Sequence, residues 1–378
     1  MRFPLKEFKA AQTPFYYYDL ALLGATLDAI KAAAGDYCVH YAVKANANPR
    51  ILAEIARRGF GADCVSGGEV EAAAAAGFPP SKIVFAGVGK TDAEILTALR
   101  TGIGCFNVES VPELEVIDEL AGKEQKVADI AIRVNPNIDA HTHHYITTGL
   151  AENKFGINLD QLADVIALAR SLKNVRVRGL HFHIGSQILD MDAFGALCRK
   201  INELQMQFAG MAFDIINVGG GLGIDYEYPD RHPIPDFEAY FDTFRKNIRL
   251  MPGQRLHCEL GRSVVAQCGS LISRVVYVKK GTKKAFVIVD AGMSELLRPA
   301  LYGAHHRIEN LSAQAGGPQA TYDVVGPVCE SSDVFASDEK LPLTHRGDLI
   351  AFRSAGAYGE TMASHYNLRK LNPPIFSL

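Results

Sequence analysis

The feature that most constrains this chain is an alternation repeated eight times: a short β-rich apolar run, a turn, then a stretch of helical periodicity rich in Ala, Leu, Glu and Lys. The runs lie at Tyr37–Lys44, Gly61–Val65, Lys82–Ala86, Gly104–Val108, Ala128–Val134, Val175–His183, Phe213–Val218 and Arg255–Glu259. Helical patterns separate them, as at Pro49–Arg58, Gly68–Ala76, Asp92–Arg100, Leu159–Leu172, Asp192–Phe208 and Phe237–Leu250. Eight strand-then-helix units predict an α/β fold closed into a (β/α)8 TIM-type barrel, with a doubly wound open sheet as the alternative arrangement.

After Glu259 the texture changes. Ser270–Val278, Ala285–Asp290, Thr321–Val325 and Asp348–Phe352 read as antiparallel strands separated by turns, a second, all-β domain. Thr13-Pro-Phe-Tyr-Tyr-Tyr-Asp19 is also strand-like and is expected to pair with that sheet. The expected division is therefore a barrel over 20–265 and a discontinuous β-rich domain over 1–19 and 266–378. A length of 378 residues, more than one core usually supports, agrees with two domains.

Composition removes several function classes. A hydrophobic fraction of 48% with 21% charged residues is that of a soluble globular protein. No stretch approaches the roughly 18 apolar residues of a membrane span, and the N-terminus lacks an apolar signal region, so the expected location is the cytoplasm. The seven cysteines are scattered without a CxxC pair, which argues for free thiols and against a zinc site. A net charge of −3 offers no basic footprint for nucleic acid, leaving small molecules as the expected partners.

Barrel enzymes collect their reactive groups at the C-terminal ends of the strands, where the connecting loops form one open rim. In this sequence that rim would carry Lys44, Asp63, His183, the run Gly219-Gly-Gly-Leu-Gly223, and Glu259-Leu-Gly-Arg262. A lysine at the mouth of a buried strand can be desolvated enough to lose its proton, and only a neutral amine condenses with an aldehyde. Lys44 is thus either a strand cap or a Schiff-base lysine. The glycines after the seventh strand form either a tight turn or a phosphate cradle of backbone N–H groups, with Arg262 adding a charged fork. His183 is either a core histidine or a flat ring for stacking. A dinucleotide fingerprint fails because its third glycine would fall on Ile224, and Gly87-Val-Gly-Lys-Thr91 fails as a P-loop because its first glycine would fall on Val84. His141-Thr-His-His144 lacks the spacing of a metal motif.

Together, Tyr41-Ala-Val-Lys-Ala-Asn46, His183-Ile-Gly-Ser-Gln187, Gly219-Gly-Gly-Leu-Gly-Ile224, Glu259-Leu-Gly-Arg262, Arg298-Pro-Ala-Leu-Tyr302, Gly326-Pro-Val-Cys-Glu330 and Ala357-Tyr-Gly359 resemble the diaminopimelate decarboxylase family across nearly the whole chain. That family, of the alanine-racemase-like class, uses pyridoxal 5'-phosphate and pairs a barrel with a C-terminal β domain. The resemblance implies a Schiff base at Lys44, His183 stacked on the pyridine ring, and Ser186 with Gly219, Gly220 and Gly221 around the phosphate. It places Glu259 at the ring nitrogen, where an anion favours the protonated ring by roughly one to three pKa units. Asp63, Gly261, Arg262 and Tyr358 complete the implied cofactor site. Arg262, Arg298, Tyr302, Glu330 and Tyr358 would hold the substrate, and Cys329 of the partner subunit would act as the acid, so the family implies a homodimer with shared active sites.

The implied reaction converts meso-2,6-diaminopimelate to L-lysine and CO2, the last step of lysine biosynthesis. Decarboxylases of ornithine, arginine or carboxynorspermidine, an amino-acid racemase, and a non-catalytic pyridoxal-phosphate carrier are the rivals; the second domain speaks against the carrier. Leu260 departs from the family, which commonly has proline there; the change frees a backbone torsion but leaves Glu259 and Arg262 in place.

Overall fold

The structure is a computed structural model and describes residues 3–138, 154–211, 213–314 and 316–377. The loop 141–148, considered from sequence as a lid, and the histidine cluster within it lie outside the described residues. The chain divides into two compact units, one of Leu27–Gly223 with Asp236–Arg262, the other of Met1–Thr26, Ile224–Pro235 and Ser263–Leu378. This differs from the expected division at 263–265, which fall in the second unit, and in two larger places. The helix Leu20–Ala34 straddles the division, and the segment 224–235 falls in the second unit although it follows the glycine run of the barrel.

Strand β1 (Phe15–Tyr18) precedes the barrel. The barrel strands are β2 (Cys38–Ala42), β3 (Gly61–Cys64), β4 (Ile83–Phe85), β5 (Cys105–Val108), β6 (Ala128–Arg133), β7 (Val175–His181), β8 (Ile215–Asn217) and β9 (Arg255–Leu260). Each lies parallel to the next, and β9 returns to β2, closing the ring in sequence order. The open doubly wound alternative is thereby excluded. Parallel strands under helices are buried on both faces, so β3, β4 and β5 are buried at every position and read as almost unbroken apolar runs. The polar exceptions, Asp63 and Asn107, have to be satisfied inside the barrel.

The helices start where the sequence supplies caps. Asn48 accepts from the Arg50 N–H ahead of Pro49, Ser66 from Glu69, Ser110 from Glu113, and Thr91 with Glu94 forms a reciprocal capping box. Each cap contributes about 1 kcal/mol and fixes where a strand-to-helix turn ends, which in turn fixes the rim. On the outside, Phe194 of the helix Met191–Gln207 meets Tyr240 and Phe244 of the helix Phe237–Asn247 with ring centroids 5.0 and 5.9 Å apart. Truncating such a fully buried ring to alanine costs about 3–5 kcal/mol.

The second unit is built on a twelve-residue strand, β10 (Gly269–Lys280). It continues with β11 (Ala285–Val289), β12 (Ile308–Asn310), β13 (Gln319–Val325), β14 (Val334–Pro342), β15 (Leu349–Phe352) and β16 (Ile375–Phe376). The sheet order is β12-β15-β10-β11-β13-β14, and β1 pairs antiparallel with β10 in the register Phe15 to Ile272, as the N-terminal strand signal suggested. Two pairs, β11 with β13 and β1 with β16, are parallel rather than antiparallel. The reason for the first is its connection: residues 290–318 contain a short helix and β12, a crossover too long for a hairpin. Phe8, Phe15, Tyr17, Ile272, Leu349 and Ala351 form a core on one side of this sheet. Among the described residues no helix is long and apolar enough to cross a membrane.

Candidate active site

Glu259, near the end of β9, organises the barrel interior. Its Oε1 accepts from Asn217 Nδ2 at 2.7 Å and Asn107 Nδ2 at 3.1 Å, and its Oε2 from His181 Nε2 at 3.0 Å. The three donors arrive from β8, β5 and β7, so the carboxylate ties four strands together. Burial by itself would raise this acid, but the attraction and hydrogen bond of His181 and the charge of Lys44 outweigh it and hold Glu259 well below the usual carboxylate range. Asn107, His181 and Asn217 escape a reading by motifs. A signal is nonetheless present: each is a lone polar residue between two apolar ones, Phe106 and Val108, Leu180 and Phe182, Ile216 and Val218.

Lys44 does not end β2. The strand stops at Ala42 and Lys44 sits in the following 3-10 turn, Val43–Ala45. Tyr41 donates its hydroxyl to the Asn46 carbonyl at 2.9 Å, and Asn46 Oδ1 accepts the Asn48 N–H at 2.9 Å, which pins the turn against the next helix. Lys44 Nζ donates to Asp63 Oδ2 at 2.9 Å; the lysine side chain is 37% exposed and the aspartate 0%. Asp63 is pushed up to about 6 by burial and by repulsion from Glu259, with Lys44 opposing both. Its second oxygen, Oδ1, is buried and accepts no hydrogen bond among the described residues.

His183 also lies beyond its strand, two residues past the end of β7. Its Nδ1 accepts the Gly220 N–H at 3.3 Å, and burial, Arg133 and Lys44 keep the ring neutral by lowering its pKa well below the usual value. Arg133 is itself held by Glu109 at 2.7 Å, and the same carboxylate takes the Gly87 N–H at 2.7 Å. This Arg133–Glu109 pair is a second feature of the rim that no motif announces.

The glycine run is required by the approach of its backbone to neighbouring strands. A Cβ on Gly219 would stand 2.3 Å from the Phe182 carbonyl oxygen, and one on Gly220 2.0 Å from that of Glu259. Gly219 and Gly220 spend their N–H groups within the chain, on Asn217 Oδ1 at 2.9 Å and on His183, so two of the three expected cradle donors orient site residues. Beside them Ser186 Oγ accepts from Arg262 Nη2 at 2.9 Å and Nε at 3.3 Å. Gly261 lets the turn after β9 pack on the Lys44 turn: a Cβ there would come within 3.0 Å of Ala42 Cβ and 3.2 Å of Ala45 Cβ. The barrel unit thus brings Lys44, Asp63, His183, Ser186, Gly219, Gly220, Gly221, Glu259, Gly261 and Arg262 to one rim.

The remaining sequence-predicted residues belong to the second unit. Arg298, buried in the helix Arg298–Tyr302, donates to His306 Nε2 at 2.8 Å and lies 4.9 Å over the Tyr226 ring. His306 Nδ1 faces the Arg353 carbonyl at 2.9 Å; a carbonyl only accepts, so Nδ1 carries the proton and Nε2 receives from Arg298. Cys329 is exposed and its N–H donates to Asn367 Oδ1 at 3.3 Å, while Glu330 accepts the hydroxyl of Tyr366. Tyr302 closes its short helix, and Tyr358 takes a left-handed backbone conformation at φ 56°, a strained geometry of the kind found at functional positions.

Residues 20–266 match the model of the pyridoxal-dependent decarboxylases, pyridoxal binding domain. Diaminopimelate decarboxylase of Bacteroides thetaiotaomicron is 60% identical over 374 residues, covering 98% of this chain and 96% of that protein. The crystal structure of Helicobacter pylori diaminopimelate decarboxylase complexed with L-lysine aligns with a TM-score of 0.90 at 41% identity, over 98% of this chain and 93% of that one. The M. jannaschii enzyme in complex with L-lysine aligns with a TM-score of 0.90 at 35% identity, over 99% and 89%. On this likeness in sequence and fold, the chain belongs to the diaminopimelate decarboxylase family of pyridoxal-dependent decarboxylases.

Proposed function

We propose that this chain decarboxylates meso-2,6-diaminopimelate to L-lysine and CO2 with pyridoxal 5'-phosphate bound at the barrel rim. The observation that carries the reading is Lys44 held by Asp63 on the same rim as a carboxylate, Glu259, that three donors fix and that His181 and Lys44 keep ionised. The residues fit the cofactor. Lys44 is accessible enough to react, the Gly219–Gly221 loop has the close backbone approach that a Cβ would block, and the buried Asp63 Oδ1 has acceptor capacity to spare.

When bound, pyridoxal phosphate supplies an aldehyde for amine condensation and a ring that draws off the electron pair left by CO2 loss. The chain supplies everything else. Glu259, fixed by Asn107, His181 and Asn217, offers a permanent anion to the ring nitrogen. His183 presents a neutral flat face, and Asp63 aims the Lys44 amine. Ser186, Gly221, Gly261 and Arg262 are assigned to the phosphate end. Arg262, Arg298, Tyr302, Glu330 and Tyr358 are assigned to the substrate's distal amino-carboxylate, where a buried cation rejects a substrate lacking that carboxylate by roughly 10⁴-fold.

Cys329 is assigned as the acid that protonates the substrate carbon, working on the site of a second subunit. This reading makes the enzyme a homodimer with shared active sites, located in the cytoplasm. Purified protein given pyridoxal phosphate and meso-diaminopimelate should release CO2 and lysine in equal amounts. No CO2 from meso-diaminopimelate, with turnover of ornithine instead, overturns the substrate. Cys329→Ala should keep cofactor binding while losing most turnover.

A further inference from the structure

The end of the barrel away from Lys44 and Glu259 holds a cavity of about 460 Å3 that the decarboxylase chemistry does not use. It opens between the N-terminal ends of β9, β2 and β3 and the turn before β4. Lys31, Arg58, Lys82, Arg255, His40 and His257 contribute its basic lining, and among the described residues no carboxylate lines it. Arg58 is neutralised from behind by Asp28, at 3.1 Å, and by Glu54. Among the described residues, Lys31, Lys82 and Arg255 have no carboxylate partner, and Lys82 Nζ donates only to the Gly59 carbonyl, at 2.9 Å.

Two histidines form the floor. His40 Nδ1 lies 3.1 Å from the Lys82 carbonyl and His40 Nε2 3.0 Å from His257 Nδ1, with the rings stacked at 5.0 Å. The carbonyl only accepts, so His40 carries its proton on Nδ1, its Nε2 accepts from His257 Nδ1–H, and His257 Nε2 is left with its lone pair. Gly61 protects this relay, because a Cβ there would stand 2.4 Å from His40 Nδ1 and 2.6 Å from the Lys82 oxygen. His257 is lowered to about 3 first of all by burial and further by His40 and Arg255, against the pull of Glu259, so the ring is neutral.

We propose that this cavity binds a small, multiply charged oxyanion of the phosphate class. Three cations without carboxylate partners, one of them a guanidinium fork, converge on a concave site with room for several heavy atoms, and an anion there would turn His257 Nε2 into a further donor. Isothermal titration of the pyridoxal-phosphate-loaded enzyme with inorganic pyrophosphate at low ionic strength should show one site per chain. The double variant Lys31→Gln, Arg255→Gln changes only exposed side chains and should raise Kd at least about tenfold, about 1.4 kcal/mol. ATP serves as the second arm: equal affinity assigns the free anion and tighter binding a nucleotide polyphosphate, both supporting the site. A change in Kd below about twofold in the double variant, or no binding to wild type, overturns it. Independently of any variant, pyrophosphate should shift the ring nitrogen resonances of His257; unmoved resonances at saturation refute the assignment.

Discussion

The two ends of the barrel interior settle the charge of a buried group in opposite ways. At one end the buried acid Glu259 is ringed by three donors and stays ionised; two residues back on the same strand, His257 is buried against the neutral His40 ring and the Arg255 cation and stays neutral. Strands rise about 3.3 Å per residue, so these environments lie roughly 7 Å apart along β9. The difference shows that burial does not fix a charge state: what surrounds the group decides whether burial neutralises it or concentrates it.

Experiments can break this contrast at either end. The largest effect is expected from Lys44→Ala, which should lose the visible absorption of bound cofactor and fall below about one thousandth of wild-type turnover; retained absorption would refute the role given to Lys44. Glu259→Gln keeps the shape and removes the anion, and turnover should fall on the order of 10²–10³-fold with the protein still folded. A drop of less than about fivefold would mean that the charge at this end is structural. Asn217→Ala removes one of three donors to a charged group, so a loss of about 10–100-fold in kcat is expected, with little change in KM.

The acid limb of the pH profile offers a gentler test. Asp63 is raised to about 6, so below that pH it takes up a proton and its ion pair with Lys44 dissolves. Activity should therefore fall as pH drops through about 6, and Asp63→Asn should remove that limb. The sign for stability is opposite. The folded chain holds this proton between about pH 4 and 6 while the unfolded chain does not, so this group opposes folding most strongly above pH 6 and its penalty shrinks as pH falls. Asp63→Asn should flatten that dependence in urea melts at pH 5 and 7. The smallest effect is expected at the far end, where Gly61→Ala pushes His40 off its relay and should lower stability by about 1–3 kcal/mol, read from the urea midpoint.

The barrel was legible in the sequence because a strand buried on both faces leaves an apolar run that only a turn interrupts. Lys44 and His183 were legible as rim residues but not as loop residues, since the last residue of a strand depends on hydrogen bonds such as that of Tyr41 to Asn46, which no periodicity encodes. Asn107, His181 and Asn217 were obscured by the same rule that found their strands: a single polar residue in an apolar run reads as noise until its partner, on another strand, is known. In the second unit, β14 carries Ser337-Asp-Glu-Lys340 and is half exposed, so it resembles a charged loop. The parallel pairing of β11 with β13 and the membership of 224–235 in that unit rest on contacts between distant segments, which local patterns do not contain.

The bond from the Gly220 N–H to His183 Nδ1 leads somewhere further. His40, His257 and His306 all carry their proton on Nδ1, each fixed by a carbonyl or by the next ring. His183 is held the other way: a backbone donor occupies Nδ1, so the neutral ring keeps its hydrogen on Nε2. In a nitrogen-15 spectrum of the imidazoles this ring therefore shares an Nε2 hydrogen with His181, which donates to Glu259, and differs from those three, a label for the rim that needs no substitution. Any ligand that slides against that ring can be followed by watching one pair of peaks.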